Sequence, residues 1–548
     1  MQRLRRLGER IAALPVIPAL ALLVALQLVQ AFWFAFHTPH NGWIWYSGGD
    51  STEYWTEQWA VGHGIIPQAV VGFGLPVYYA WVPLVTGTTL ISGAAVIVLF
   101  QAIVLVPLAL ILCWLTADRL FGRVYAWSVA ALWVAGPLLL LHGFIPRYHP
   151  VFDQLFLVPH WFGFTNMADL PSLVAVLATA WLTLRWFDTG SATDAALGGL
   201  CAGLAVGIKP ANGFMFPALL VLLAFSRRPR QVVLWFAAFA PAMITLALWK
   251  IRGLGNVPLT TSAYPQVHEA AARAAMPLAI TPSKYLQFNW NHFNVELTDL
   301  REVFWSLRFL EFLVIAGAFG VIRRRPVRGL FLVLWFASYG IFKGSSAKSD
   351  FTSANWFRLT EPGLPALMML AVGVAFCLPV FGRTVLSAHA ALSDTLRFNR
   401  RHVALAAVPL ALIPLVVMLV AQPASSMRIA RDNNHVNEAP ISNAFHLHAT
   451  KKDGAVYLSW DKPATGSTTP VFQIYRAAPG EGCRRPNSGS VECLIGDSIM
   501  YRGPVTGTSF VDHPGSGAHE YRVGLLAFYK RNVLGGDLML LSPAVPVP

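Results

Sequence analysis

The sequence predicts a polytopic α-helical membrane protein of about eleven transmembrane helices, followed by a small extracytoplasmic β-sandwich. Three observations predict it. First, 55% of the 548 residues are hydrophobic and only 12% are charged, about half the charged share of a soluble domain, and the mean hydropathy is +0.53. Second, apolar runs of the length needed to cross ~30 Å of hydrocarbon recur through residues 14–421. Third, from about residue 450 the pattern changes to short alternating strands bounded by turn residues. This composition excludes a soluble cytosolic enzyme, a disordered tail and a coiled coil. Five cysteines are too few for a disulfide scaffold.

The apolar runs are 14–36, 89–115, 126–144, 171–187, 195–208, 211–226, 232–249, 305–322, 330–342, 363–382 and 403–421. The pair 195–208 and 211–226 is short for a full span. Segment 66–88 is apolar but broken by Pro67, Pro76 and Pro83, and reads as interfacial or re-entrant. Segment 14–36 is long enough to stay as an anchor, so no cleaved signal peptide is needed.

Basic residues set the orientation. With the N-terminus inside, Arg3, Arg5, Arg6, Arg10, Arg119, Arg123, Arg185, Arg227, Arg228, Arg230, Arg323, Arg324, Arg325 and Arg328 all fall in inner segments, whereas outer segment 37–88 holds no Lys or Arg. The formal net charge of +14, from 41 basic and 27 acidic residues, is therefore a topology signal. It does not indicate a nucleic-acid partner.

An odd number of spans places the C-terminus outside. There Val456-Tyr457-Leu458-Ser459-Trp460, Phe472-Gln473-Ile474-Tyr475-Arg476 and Tyr521-Arg522-Val523 alternate as strands. In order and spacing, 451–548 resembles a fibronectin type III module, a small Greek-key sandwich. The membrane portion is then 1–421 and 422–450 a linker. Cys483 and Cys493 fall in one inserted loop of this region, where an oxidising compartment allows a disulfide.

Polar residues gather in the outer loops rather than at mid-span. Transporters place broken helices and ionisable groups near the midplane, so this distribution suits an enzyme working at the outer face. The first outer loop reads Ser47-Gly48-Gly49-Asp50-Ser51-Thr52-Glu53-Tyr54-Trp55: glycines, an acid, then an aromatic helix. Asp50 is either the N-cap of that helix or a reactive carboxylate held at the surface. Trp43, Trp45, Tyr54, Trp55 and Trp59 either stack on sugar faces or form an interfacial belt.

Four motifs occur in order: Gly49-Asp50-Ser51-Thr52-Glu53-Tyr54; Asn166-Met167-Ala168-Asp169-Leu170-Pro171-Ser172; the glycine-rich run Gly199 to Lys209-Pro210; and Phe357-Arg358-Leu359 with Glu361-Pro362-Gly363-Leu364-Pro365. With this topology, residues 14–421 resemble the GT-C glycosyltransferases, polytopic enzymes that use polyprenyl-phosphate sugars. The resemblance implies a GT-C-like fold and an inverting transfer from a polyprenyl-phosphate sugar donor to a glycan or glycolipid acceptor. Such a transfer needs a base for the acceptor hydroxyl and cationic stabilisation of the leaving phosphate. Asp50 is the expected base. Glu53 and Asp169 are the further acids, with a solvated helix face and a helix N-cap as their structural readings.

Lys209, Arg358 and Arg147 are the candidate phosphate ligands, against snorkelling to ordinary lipid headgroups. Lys209 ends a short span, where a lone ammonium in hydrocarbon is costly, so it must reach a headgroup, an acid or water. His149, Tyr54, Trp55, Asn289 and Trp290 are candidates for sugar or acceptor contacts. His149, Asp153, His160 and Asp169 are a conceivable divalent-metal set, but their spacing is irregular, and the chemistry requires no cofactor. The residue usage, rich in Ala, Arg and Trp, resembles that of a high-GC bacterium, which implies the inner membrane and a cell-envelope acceptor. A transporter or flippase for lipid-linked saccharides is the competing class; a non-catalytic anchor for the exterior module is the third.

Overall fold

The computed structural model describes residues 2–37, 49–66, 72–86, 90–139, 161–252, 290–291, 294–295, 308–344, 355–378, 400–423, 441–464, 472–479, 494–497, 505, 507–526 and 538–548. It is mostly helical, with sheets confined largely to the C-terminal region. The described parts of the apolar runs are largely helical, but of the roughly eleven spans expected only some are long enough to cross a membrane. Among the described residues, five helical segments are long and apolar enough to cross a membrane: Val16–Ala35, Val96–Phe121, Asp169–Thr189, Pro229–Arg252 and Arg358–Cys377.

In chain order, α1 (Gln2–Ala12) and α2 (Val16–His37) lead to α3 (Gly49–Gly62). The proline-broken stretch forms two short helices, α4 (Gly74–Tyr78) and α5 (Trp81–Thr86). Next come α6 (Leu90–Phe100), a π-turn at Gln101–Leu105, α7 (Val106–Phe121) and α8 (Arg123–Leu139). The central helices are α9 (Asp169–Thr189), α10 (Ala192–Ile208), α11 (Phe216–Phe225) and α12 (Pro229–Arg252). The run at 211–226 begins not as α-helix but as a 3₁₀ turn, Pro210–Met215. Beyond them lie α13 (Arg308–Arg324), α14 (Pro326–Ala337) with a π-turn at Ser338–Lys343, α15 (Asn355–Thr360), α16 (Leu364–Gly373) and α17 (Arg400–Val420).

Helix packing follows the glycines. Without water to drive helices together, close backbone approach and van der Waals contact do the work. A Cβ added to Gly203 of α10 would lie 2.8 Å from Ala242 Cβ and 2.9 Å from the Phe239 carbonyl of α12, and one on Gly199 would overlap the Trp235 carbonyl. By contrast α2 presents Ile17, Leu22 and Val29 outward, with Ile17 81% exposed, as a helix facing acyl chains does.

Reversals at one end of the bundle are short and rich in arginine, and several of these arginines close helix C-termini. Such an end leaves its last carbonyls unpaired and carries partial negative charge. Arg228 Nη1 donates to the Trp186 and Phe187 carbonyls near the end of α9, at 2.9 and 3.2 Å. Arg325 Nη1 donates to the Leu120 carbonyl of α7 at 3.1 Å. Arg328 bonds the Arg119 carbonyl and the Asp188 carboxylate. Arg185 pairs with Asp194 at 3.2 Å.

In the C-terminal region, β3 (His448–Lys452), β4 (Ala455–Ser459) and β7 (Ser509–Asp512) form one antiparallel sheet in the order β3-β4-β7. A second sheet orders β10 (Val545–Val547), β8 (His519–Leu526), β5 (Phe472–Ala477) and β6 (Leu494–Asp497), with β9 (Leu538–Leu541) also on β8. The strands expected at 456–460, 472–476 and 521–523 fall on β4, β5 and β8. Val456 and Leu458 from the first sheet share one buried cluster with Trp460, Ile474, Tyr521 and Val523. A short parallel pair, β1 (Ile65–Ile66) with β2 (Gln422–Pro423), ties the residues after α17 to those after α3. Cys483 and Cys493 lie outside the described residues.

Two stability tests follow. Gly203→Val should lower the detergent unfolding temperature through overpacking of about 1–3 kcal/mol, whereas Gly213→Ala, with open space around the added Cβ, should leave it near wild type. In the sheets, Tyr521 Oη donates to Asp512 Oδ2 at 2.7 Å, and Arg476 Nη1 donates to the same oxygen at 2.8 Å. Burial, then the bond to Asp512, raises the Tyr521 hydroxyl above its ordinary value. A raised folded-state pKa means stability present below about pH 10 and lost as pH rises beyond it. Tyr521→Phe should flatten that alkaline loss, read as unfolding temperature of the full chain against pH.

Candidate functional site

At the end of the bundle opposite the short arginine reversals, four chain segments bring ionisable side chains together. Asp169 opens α9 and is 1% exposed. Lys209 follows the last turn of α10 in an extended conformation and is 8% exposed. Arg358 lies on α15, and Glu361, 4% exposed, begins the 3₁₀ turn that leads into α16.

Lys209 Nζ donates to Asp169 Oδ1 at 2.5 Å and to the Arg358 carbonyl at 3.5 Å. Arg358 Nε reaches Asp169 Oδ2 at 3.4 Å. One carboxylate thus serves two cations, one on each oxygen. Glu361 interacts electrostatically with Asp169, Lys209 and Arg358, and its Oε2 has no hydrogen-bond partner among the described residues. The four formal charges sum to zero, which is what makes their common burial tolerable.

Local structure explains each position. The expectation that Asp169 caps α9 is corrected: the cap position is Ala168, and Asp169 is the first helical residue. Its carboxylate is favoured by the positive end of the helix and bonds Lys209. Lys209 ends α10 because Pro210 follows, which pushes it out of the helical region. Of the three destinations open to its ammonium, it takes the acid. The Glu361–Gly363 turn is held by Trp335 Nε1, which donates to the Pro362 carbonyl at 2.9 Å. It is also held by close approach: a Cβ on Gly363 would lie 2.7 Å from Tyr339 Cβ. Tyr339, on the second π-turn, donates its hydroxyl to Asn212 Oδ1 at 3.1 Å, in the 3₁₀ turn just after Lys209.

The helix α3 docks on the same end. Gln58 Nε2 donates to Asn166 Oδ1 at 3.0 Å, three residues before Asp169, and both side chains are buried. Gln101, on the first π-turn, donates to the Thr165 carbonyl at 2.9 Å. π-turns occur often at functional sites because they re-aim a side chain. Gly163, at φ +72°, brings its loop so close to this π-turn that an added Cβ would lie 2.7 Å from Gln101 Cβ. Glu57 of α3 and Lys250 of α12, 5% and 0% exposed, form a second acid–base pair by electrostatic interaction.

Of the residues expected from sequence, the structure brings together Asp169, Lys209 and Arg358. Asp50 and Glu53 fall on α3; their side chains lie outside the described residues. The helix begins at Gly49, so Asp50 stands inside its first turn. Trp55 is fully buried, its ring against Gly93, and Tyr54 is 4% exposed; both pack in the hydrophobic core. Trp290 is 67% exposed. Arg147, His149, Asp153, His160 and Asn289 lie outside the described residues, and among those described no group of three or more His, Cys, Asp or Glu side chains could hold a metal ion.

Sequence reasoning did not single out Glu361, Lys250, Gln58 or Asn166 as members of this site. Glu361 and Asn166 stood inside quoted motifs. Lys250 was signalled as a cation two residues before the end of a long apolar helix.

Removing Lys209 takes one of two cations from a buried carboxylate and leaves Arg358 on the other oxygen. Lys209→Met should lower stability by about 1–3 kcal/mol, and Lys209→Met/Asp169→Leu, which also takes the counter-ion from Arg358, should cost less than the sum of the two single variants. The unfolding temperatures of the two single variants and the double variant in detergent check this coupling.

Two solved structures of the Archaeoglobus fulgidus oligosaccharyltransferase are similar to this chain. The apo form matches at 14% identity and a TM-score of 0.37, covering 74% of this chain and 56% of that one. The complex with Zn and sulfate matches at 15% identity and a TM-score of 0.33, covering 74% and 54%. The chain therefore spans a little over half the length of either structure. No protein-family model and no curated protein matches it.

Proposed function

We propose that this protein is an integral-membrane glycosyltransferase. It moves a monosaccharide, with inversion, from a polyprenyl-phosphate donor to a cell-envelope glycan or glycolipid at the non-cytoplasmic face. The observation that carries the proposal is the convergence of Asp169, Lys209, Arg358 and Glu361 at helix termini on one end of the bundle, joined through Asn166 and Gln58 to the helix bearing Asp50.

The acceptor hydroxyl attacks the anomeric carbon; the new glycosidic C–O bond forms as the bond to the phosphate oxygen breaks, and that oxygen keeps the electron pair. Asp50 takes the hydroxyl proton. The departing phosphate needs cations already in place when charge develops. Asp169 fixes the ammonium and the guanidinium side by side before any donor arrives. Among the described residues, Lys209 Nζ makes two of its three hydrogen bonds, so its remaining donor is the one assigned to the phosphate. The arginine-closed end is the cytoplasmic one by the bias of basic residues.

A transporter calls for ionisable groups near mid-span. Here the site charges stand at helix ends instead: the start of α9, the end of α10 and the turn before α16.

Asp50→Asn decides the reaction class. In membranes supplied with radiolabelled polyprenyl-phosphate sugars, it should expose normal protein yet lose transfer by 100-fold or more, about the scale of a general base. Retained transfer removes Asp50 from the mechanism. Transbilayer movement of the lipid-linked sugar without transfer by the wild type assigns the protein to the transporters.

A further inference from the structure

The end of the bundle opposite the site carries arginines that the fold does not consume. Acids there are already engaged: Asp188 with Arg328 and Arg119, Asp194 with Arg185, and Asp118 electrostatically with Arg123 and Arg119; Glu9 of α1 lies in the same layer. Arg3, Arg6 and Arg10 on α1, with Arg227, Arg323 and Arg324 nearby in the same layer, are exposed and make no ion pair with a described residue. This layer is continuous: Arg123, at the start of α8, reaches the Ala12 carbonyl that ends α1, and Arg325, next to Arg324, reaches the Leu120 carbonyl that ends α7.

The helix α1 is two-sided. Gly8 and Ala12 are buried and Ile11 packs on the bundle core, so one face is fixed to the protein. The other presents Arg3, Arg6, Leu7, Arg10 and, just past the helix end, Leu14, at three- and four-residue spacing; Leu7 is 49% and Leu14 42% exposed. Cations alternate with leucines along one outward stripe. A polyanion such as RNA would use the cations and leave the leucines in water. An interface of acyl chains and anionic headgroups uses both.

We infer that α1 is an interfacial helix that lies along the membrane surface and gathers anionic phospholipid headgroups at Arg3, Arg6 and Arg10. The lipid is recognised by its negative charge beside an apolar layer. This inference is independent of the proposed transfer reaction.

The test uses the full-length protein in bilayer nanodiscs of phosphatidylcholine with a minor share of phosphatidylglycerol. Spin-labelled analogues of each lipid report which is held at the protein boundary. Wild type should hold phosphatidylglycerol several-fold over phosphatidylcholine, and Arg3→Gln/Arg6→Gln/Arg10→Gln should lose most of that preference while keeping its unfolding temperature. A fluorophore on Leu7→Cys should report headgroup depth. Equal lipid preference in wild type and triple variant overturns the inference. So does a Leu7 label that stays in water and is protected only by added single-stranded RNA, which would assign the stripe to nucleic acid.

Discussion

A buried carboxylate shared by a buried lysine and a half-buried arginine governs this architecture. Asp169 meets Lys209 on one oxygen and Arg358 on the other. Each partner comes from a different part of the chain, so the interaction fixes the start of α9, the end of α10 and the approach to α16 at one level. Desolvating three charges costs several kcal/mol for each ion, and only close geometry offsets it. That demand explains the supporting bonds: Trp335 on the Pro362 carbonyl, Tyr339 on Asn212, Gln58 on Asn166. A hydrophobic contact at the same place would pack the helices as well. It would leave nothing for an anionic ligand to displace or join.

The two ends of the bundle handle charge by opposite means. At one, arginines spend their donors on helix carbonyls and on Asp188 and Asp194, which closes short reversals without exposing peptide groups to the membrane. At the other, Lys209 and Arg358 face the Asp169 carboxylate, and α3 is tied to the same end by Gln58 on Asn166. The small residues of α10 let α12 seat against Gly199 and Gly203, and Lys250 near the end of α12 interacts electrostatically with Glu57.

Much of this was readable in the chain. The described parts of the apolar runs are largely helical because length and hydropathy suffice to detect an apolar helix. Val456 and Leu458 point to a buried face because alternation on a strand has an unambiguous period. Asp169, Lys209 and Arg358 were recognisable as charges at the ends of apolar runs. That they meet was not, since Lys209 lies 40 and Arg358 189 residues from Asp169 in the chain, and nothing local encodes the pairing. The two π-turns and the helical position of Asp169 were missed for a related reason: a helix boundary moves by a residue under tertiary contacts. Trp55 read as a surface aromatic because its neighbours are polar, but Gly93 on another helix opens the slot that buries it.

The central claim is that Lys209 is held by Asp169 in order to receive a lipid-linked phosphate. The most direct test is binding of a short-chain polyprenyl phosphate to purified protein in detergent, by calorimetry, for wild type and Lys209→Met/Asp169→Leu. The double variant removes the ammonium together with the carboxylate it shares with Arg358. The account predicts saturable binding by wild type and at least about a tenfold loss in the double variant, the scale of one charge-assisted bond. Equal affinity in the two proteins would show that the buried pair serves only the fold.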